Sequence, residues 1–465
     1  MCSPANIPTL AHWEMATMVD AQLLLAQRFG HAEFRPLQTR VIEPVLAGRD
    51  VLAVLPTGGG KSLCFQVPAL LTPGLTLVIS PLVALMQDQV TRLVTRGVAA
   101  AALNSTLTAD EQQDVLCAVA QDRVRMLYLS PERLPRLVDE LAARGVRVAR
   151  LAVDEAHCIV EWGHDFRPSY RALRRCRSAL GAPPCIALTG SATPAVRDEI
   201  RRSLGFTTTA CEIVGSFDRR NLRLEVHRVS SVDHRLTRLV RLVRDTLRPV
   251  IVYAPTRGLT EGLARVLREQ GVVAAPYHAG LSVEARRSGL EQFLDGRLRV
   301  MTATCAFGMG IDKPDIELVV HWNLPSTPES YYQEAGRAGR DGREARCVLL
   351  FHPGDGAMPR RQLATTFPKE RVLEECWRDP SRRGRLPAAV VAAADRLEAE
   401  LRPDRGPIDW SGVRRRRREA ERRLEAMLGY AGGTRCRRAA LLGWFGERVV
   451  RCSGCDRCGS GVTRE

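Results

Sequence analysis

From Ala21 onward, short apolar runs alternate with longer amphipathic stretches. The runs at 50–55 (DVLAVL), 75–79 (LTLVI), 126–129 (MLYL), 151–153 (LAV) and 185–188 (CIAL) have the length and composition of buried strands. Helix-length segments with one apolar face separate them. This alternation predicts a parallel sheet with helices on both faces. A second series follows Ser216-Phe217-Asp218-Arg219, with strands expected at 250–253 (VIVY), 272–275 (VVAA), 300–303 (VMTA), 318–321 (LVVH) and 348–351 (VLLF). The pattern therefore predicts two α/β lobes, 21–213 and 223–355, joined by a linker at 214–222 and preceded by a leader at 1–20. Beyond 355 the alternation stops. Residues 356–430 read as a basic helical insertion, with Val413, Ala420, Leu424 and Leu428 as an apolar stripe beside five arginines at 414–418. Residues 431–465 form a cysteine-dense tail.

Composition changes this picture little. An apolar content of 45% and a charged content of 26% are ordinary for a globular protein of 465 residues. The balance of 68 basic against 52 acidic residues leaves +16, which favours a polyanionic partner or simply aids solubility. Lysine occurs only at Lys61, Lys313 and Lys369, so arginine supplies almost all the positive charge. The best candidate for a membrane span, 75–86, is interrupted by Ser80 and Pro81 and falls short of the length a span needs. The expectation is a cytoplasmic, nucleoid-associated protein without a membrane partner, whose 14 cysteines do not form a disulfide framework.

Candidate chemistry begins with Pro56-Thr57-Gly58-Gly59-Gly60-Lys61-Ser62, placed between an expected strand and an expected helix. That is the context of a P-loop. Glycines let backbone N–H groups approach phosphate oxygens, Lys61 neutralises the β and γ phosphates, and Ser62 ligates Mg²⁺. Leu55 stands where the common form has its first glycine. Asp154-Glu155-Ala156-His157 follows the 151–153 strand: Asp154 suits Mg²⁺, and Glu155 suits the attacking water. Arg337 and Arg340, three apart on an expected helix, share a face and could stabilise charge on a transferred phosphoryl group. Alone, each of these motifs could be a turn, a helix start or a solvated charge face.

At these phrases the chain resembles the RecQ helicases, DEAH-type enzymes of superfamily 2. The resemblance runs from about Leu25 to Arg343 and resumes at Cys436. It implies two RecA-like lobes, with Arg35 and Gln38 at the adenine, and Thr57, Gly58, Gly59, Gly60, Lys61 and Ser62 at the phosphates. It also implies Asp154, Glu155 and His157 as the acidic motif, and Gln333, Arg337, Arg340 and Asp312 as the second lobe's contribution. The phrase Cys158-Ile159-Val160-Glu161-Trp162-Gly163-His164-Asp165-Phe166-Arg167-Pro168 resembles the family's aromatic-rich loop, in which Trp162 and Phe166 would stack on bases and Arg167 would contact DNA. Thr304 would touch DNA phosphates. The chain departs from the family at His31, at Gly190-Ser191 and at Arg220.

Four cysteines, Cys436, Cys452, Cys455 and Cys458, are concentrated in the tail, the last three as C-x2-C-x2-C. Such spacing lets thiolates share one tetrahedral ion, with Zn²⁺ expected and iron–sulfur ligation or free thiols as the other readings. The resemblance supplies Cys436 as the fourth ligand. The expectation is thus a short RecQ-type enzyme, without winged-helix and HRDC domains, that uses ATP, Mg²⁺ and Zn²⁺. The resemblance implies 3′→5′ movement on single-stranded DNA and unwinding of duplex or branched DNA in repair or recombination. It implies a single-stranded-DNA-binding protein or a topoisomerase as protein partners, and a monomer is expected. A translocase or RNA helicase that does not separate DNA strands, and a non-catalytic DNA-binding or annealing protein, are the alternatives.

Overall fold

The computed structural model describes residues 16–56, 58–160, 170, 172–305, 307, 313–401 and 410–459. Among them, two compact units meet in sequence at Gly215 and Ser216. Each is built on one parallel sheet.

The first sheet holds β1 (Val51–Val54), β2 (Leu75–Ile79), β3 (Ala100–Leu103), β4 (Met126–Leu129), β5 (Val148–Val153), β6 (Cys185–Thr189) and β7 (Cys211–Val214). Their order is β3-β4-β2-β5-β6-β1-β7, with every pairing parallel. Strands β1, β2, β4 and β6 are buried along their whole length, which is why they read as continuous apolar runs. Val51, Ala53, Phe65, Val78, Tyr128, Ile186 and Leu188 belong to the core of this unit. In a parallel sheet all strand C-termini lie on one edge. The residues after β1, β5 and β6, neighbours in the order β5-β6-β1, are therefore delivered to one place.

The second sheet holds β8 (Leu222–Arg228), β9 (Val250–Tyr253), β10 (Ala274–Tyr277), β11 (Val300–Ala303), β12 (Leu318–His321) and β13 (Ala345–Phe351), in the order β10-β11-β9-β12-β13-β8. It too is parallel throughout. Strand β10 lies two residues beyond the expected 272–275 and contains Pro276, which an edge strand accepts because one side of its ladder is unpaired. Strand β13 begins three residues before the expected run because Arg346, polar in the sequence, pairs across to Glu225 on β8.

The C-terminal helices span Ala357–Thr366, Glu370–Arg378, Ala388–Leu401, Trp410–Gly432 and Arg437–Trp444. On the long helix the buried side is formed by Val413, Leu424, Met427, Tyr430 and Ala431, with Arg423 among them, while Ala420 and Leu428 are only half-buried. Among the described residues no helix is long and apolar enough to cross a membrane.

Candidate nucleotide and metal sites

Strand β1 ends at Val54, and the helix Leu63–Leu71 begins eight residues after Leu55. The intervening loop needs glycine. Gly58 and Gly60 have φ of +79° and +70°, and a Cβ on Gly59 would stand 2.8 Å from the Pro56 carbonyl oxygen. The loop is held from outside by two residues that the sequence also nominated. Gln38 donates from Nε2 to the Gly60 carbonyl at 3.0 Å, while its Oε1 accepts from the Arg35 N–H at 2.8 Å. Arg35 itself donates to the Gly58 carbonyl. Ser62 occupies the N-cap position of the following helix without using its hydroxyl to cap it. Thr57 lies outside the described residues.

Asp154 follows β5, and its N–H donates to the Ile79 carbonyl of β2. Its carboxyl is almost fully buried. Burial, then the neighbouring Glu155, push its pKa up to about 6, against Lys61, the Glu155 N–H and the Gln89 side chain, which favour the charged form. Glu155 adopts a left-handed conformation, φ +47° and ψ +50°, costing a non-glycine residue roughly 1–2 kcal/mol. Its carboxylate then lies between two cations or potential cations: Lys61 Nζ at 4.0 Å and His157 Nδ1 at 3.3 Å. Buried His157 also shares a 2.9 Å hydrogen bond with the Thr189 hydroxyl at the end of β6, which donates in turn to the Ser191 carbonyl. The structure thus gathers Arg35, Gln38, the glycines, Lys61, Asp154, Glu155 and His157 at one sheet edge. Thr189 and Gln89 complete the cluster. Neither was singled out as a site residue, because a lone threonine or glutamine at a strand or helix position carries no spacing signal.

In the second unit the expected arrangement needs one correction. Gln333 is half-buried on the helix Pro328–Ala335, but Arg337 and Arg340 are not on that helix. It stops at Ala335, and the arginines stand in the turn that follows, where Gly339 takes φ +55°. Gly339, left-handed where Gly336 is still in the helical region, breaks the run, so three-residue spacing no longer places the two side chains on one face. Arg337 is buried and lies against the Tyr253 hydroxyl at the end of β9, which itself donates to the Phe307 carbonyl at 2.7 Å. Next to it, Glu334 pairs with buried His321 at 2.8 Å, and His321 stacks on Tyr253. Thr304 follows β11, and its N–H donates to the Tyr277 carbonyl at 3.2 Å. Trp162, Phe166, Arg167 and Asp312 lie outside the described residues.

The cysteine tail forms a third feature. The sulfur atoms of Cys436, Cys452, Cys455 and Cys458 all lie within 4.8 Å of one another. Tetrahedral Zn–S bonds of about 2.3 Å place sulfurs about 3.8 Å apart, and the Cys436–Cys455 separation is 3.9 Å. Burial opposes a thiolate at Cys455. Backbone N–H groups of Arg437, Arg457 and Cys458 outweigh it and bring that thiol down to about 7. Four converging sulfurs with N–H donors aimed at one of them suit a thiophilic divalent cation, and Zn²⁺ fits them. Such an ion would act by holding the tail together. The tail is docked by protein contacts as well. Cys455 forms a bridge with Leu224 of β8, Asp456 N–H donates to the Leu224 carbonyl, and buried Arg437 pairs with Asp456 at 3.0 Å.

A glycine loop after β1, an acidic pair after β5 two strands away, and a second parallel-sheet unit with a glycine-flanked arginine turn are the arrangement of the two-unit helicase ATPases. The comparisons agree. The DEAD/DEAH box helicase domain matches residues 35–201, the helicase conserved C-terminal domain 231–342 and the RecQ zinc-binding domain 402–459. The chain is 43% identical over 342 residues to the "Probable ATP-dependent DNA helicase RecS" of Bacillus subtilis, covering 73% of this chain and 68% of that one. It is 37% identical over 436 residues to the ATP-dependent DNA helicase RecQ of Haemophilus influenzae, covering 94% of this chain and 63% of that one. Among solved structures, the Mss116p protein bound to single-stranded RNA and AMP-PNP superposes with a TM-score of 0.62 at 16% identity, over 94% of this chain and 93% of that one. That last likeness concerns the fold alone. This chain belongs to the RecQ family of helicases, and it spans roughly two thirds of the length of the relatives just named.

Proposed function

We propose that the chain is an ATP-dependent DNA helicase that moves 3′→5′ along single-stranded DNA and separates duplex or branched DNA in repair or recombination. The observation that carries this reading is the convergence of Lys61, Asp154 and Glu155 at one sheet edge beside a glycine loop. In it Gly58, Gly59 and Gly60 accept the phosphates through backbone N–H groups, and Lys61 neutralises their charge. Ser62 and Asp154 would hold Mg²⁺, which would supply charge neutralisation on the phosphate oxygens. Glu155 orients and deprotonates water, with His157 fixing its carboxylate. Arg337 and Arg340 stabilise the charge of the transferred group, and Gln333 assists. Arg35 and Gln38 meet the adenine, while Thr57 and Asp312 support the nucleotide. Trp162, Phe166, Arg167 and Thr304 meet the DNA. The protein works as a monomer in the nucleoid.

The decisive experiment measures ATP hydrolysis with and without single-stranded DNA, then strand separation on duplexes carrying a 3′ or a 5′ overhang. Stimulation by DNA and unwinding from the 3′ overhang alone are expected. Glu155→Gln should reduce turnover by about 100-fold or more while sparing ATP binding. Stimulated hydrolysis without strand separation would leave a translocase. Bound DNA with no hydrolysis would leave an annealing or binding protein.

A further inference from the structure

The arginine turn is closed by short local bonds, among them Ala338 N–H to the Ala335 carbonyl and Gly342 N–H to the Gly339 carbonyl, each at 3.1 Å. Between Ala335 and Ala345 the chain has no helix or strand, and Gly339 and Gly342 take φ of +55° and +85°. The turn's N–H groups find backbone partners: Gly339 N–H donates to the Ile316 carbonyl at 2.8 Å, and Asp341 N–H donates to the Pro314 carbonyl at 3.0 Å. Its carbonyl oxygens are met by side chains from one distant segment. Arg219 donates to the carbonyls of Gly336 at 3.2 Å, Ala338 at 3.1 Å and Gly339 at 2.8 Å. Asn221 donates to the Gly339 and Arg343 carbonyls, each at 2.8 Å. The approach is so close that a Cβ on Gly339 would stand 2.5 Å from the Asn221 amide nitrogen.

That segment is itself fixed from its far side. Arg438, 2% exposed, donates to the Asp218 carboxylate at 2.5 Å, to the Arg219 carbonyl at 3.0 Å and to the Leu222 carbonyl. Glu447 accepts from the Ser216 hydroxyl and the Phe217 N–H, each at 2.6 Å, and Phe217 stacks on Phe445 at 4.5 Å. A planar guanidinium with five forked donors can span three carbonyls at once, which a lysine ammonium on a flexible stem cannot do in fixed geometry.

We infer that Arg219 and Asn221, seated by Arg438, are positioning residues for the turn carrying Arg337 and Arg340, and that they set the rate of phosphoryl transfer. This rests on the reading of the turn as phosphate-facing. Misplacement of a catalytic group by about 1 Å can cost about 100-fold in rate. The clamp therefore acts on kcat and leaves nucleotide and DNA binding alone.

The test uses the full chain and a double-mutant cycle read by DNA-stimulated ATP hydrolysis. Arg219→Lys should lower kcat by about 10- to 100-fold with KM for ATP and Kd for single-stranded DNA within about threefold of the parent. In an Arg337→Ala background the same change should cost several-fold less, because the group it positions is gone. A parent-like kcat for Arg219→Lys, or an equal loss in both backgrounds, would overturn the inference. An Arg337→Ala protein with parent-like kcat would instead overturn the reading of the turn, and the inference with it. Thermal unfolding is followed for each variant. Should Arg219→Lys fail to fold, Asn221→Ala removes two bonds and no charge, and it is read in the same cycle with the same criteria.

Discussion

Single residues in this protein do work that their type alone does not disclose. Lys61 is one of three lysines in a chain otherwise supplied with arginine, and it stands where a compact ammonium suits phosphate oxygens. Its place beside Asp154 and Glu155 was legible because P-loop and acidic motifs are local: loop and strand end share a few consecutive positions. What the residues meet across the sheet was not legible. Thr189 beneath His157 and Arg219 beneath the arginine turn depend on pairings between segments far apart in sequence. Glu225 shows the same on the stability side. Burial raises its pKa, but His227 and Arg346 outweigh this and hold the carboxyl down at about 2. A carboxyl depressed below its unfolded value of about 4.3 stabilises the fold above that value. That contribution is lost as pH falls from about 4.3 through 2. Acid denaturation should therefore show Glu225→Gln less stable than the parent by about 1–3 kcal/mol at pH 7, with the gap closing toward pH 2.

Among the elements, strands buried on both faces declared themselves as apolar runs, and those at the margins did not. Strand β3 is alanine-rich and has weak β propensity. Strand β8 alternates apolar and charged residues, and no strand was expected at the start of the second lobe where it lies. The helix expected to carry Arg337 and Arg340 ends before them because glycine allows a turn there. Strand β8 is also the edge of its sheet, and the cysteine tail covers it through the Leu224–Cys455 bridge. Removing the metal with a chelator should uncover that edge. The expected outcome is a lower melting temperature for the second unit, together with aggregation that restoring Zn²⁺ prevents. An unchanged melting curve would show that the protein contacts of Arg437 and Arg438 suffice without an ion.

For the molecule as a whole, the positive charge is less available than the composition suggests. Within the run at 414–418, Arg414 pairs with Glu370 at 3.0 Å and Arg417 with Glu421 at 2.9 Å, while Arg415 and Arg418 are exposed. If the helical insertion contributes to DNA binding, it does so chiefly through the exposed pair. Replacing Arg415 and Arg418 by glutamine should weaken DNA binding alike for all sequences and reduce the salt slope by about 1–2. Unchanged affinity and slope would assign the run to a solvated helix face. The arginine surplus was plain in the sequence. Its partial neutralisation was not, since the acidic partner of Arg414 lies on another helix.

The bonds between Ser216 and Glu447 have a consequence for how the protein is made. They join residues 231 positions apart. During synthesis at about 5–20 residues per second, the segment around Ser216 leaves the ribosome roughly 10 to 50 s before its partner exists. Until the interval ends, β8 is uncovered on its outer edge, and the arginine turn, once made, is gripped by an Arg219 that still lacks its Arg438 and Glu447 seat. Slowing translation between codons 216 and 447 should raise the fraction lost to aggregation, measured as the insoluble share of newly made chain.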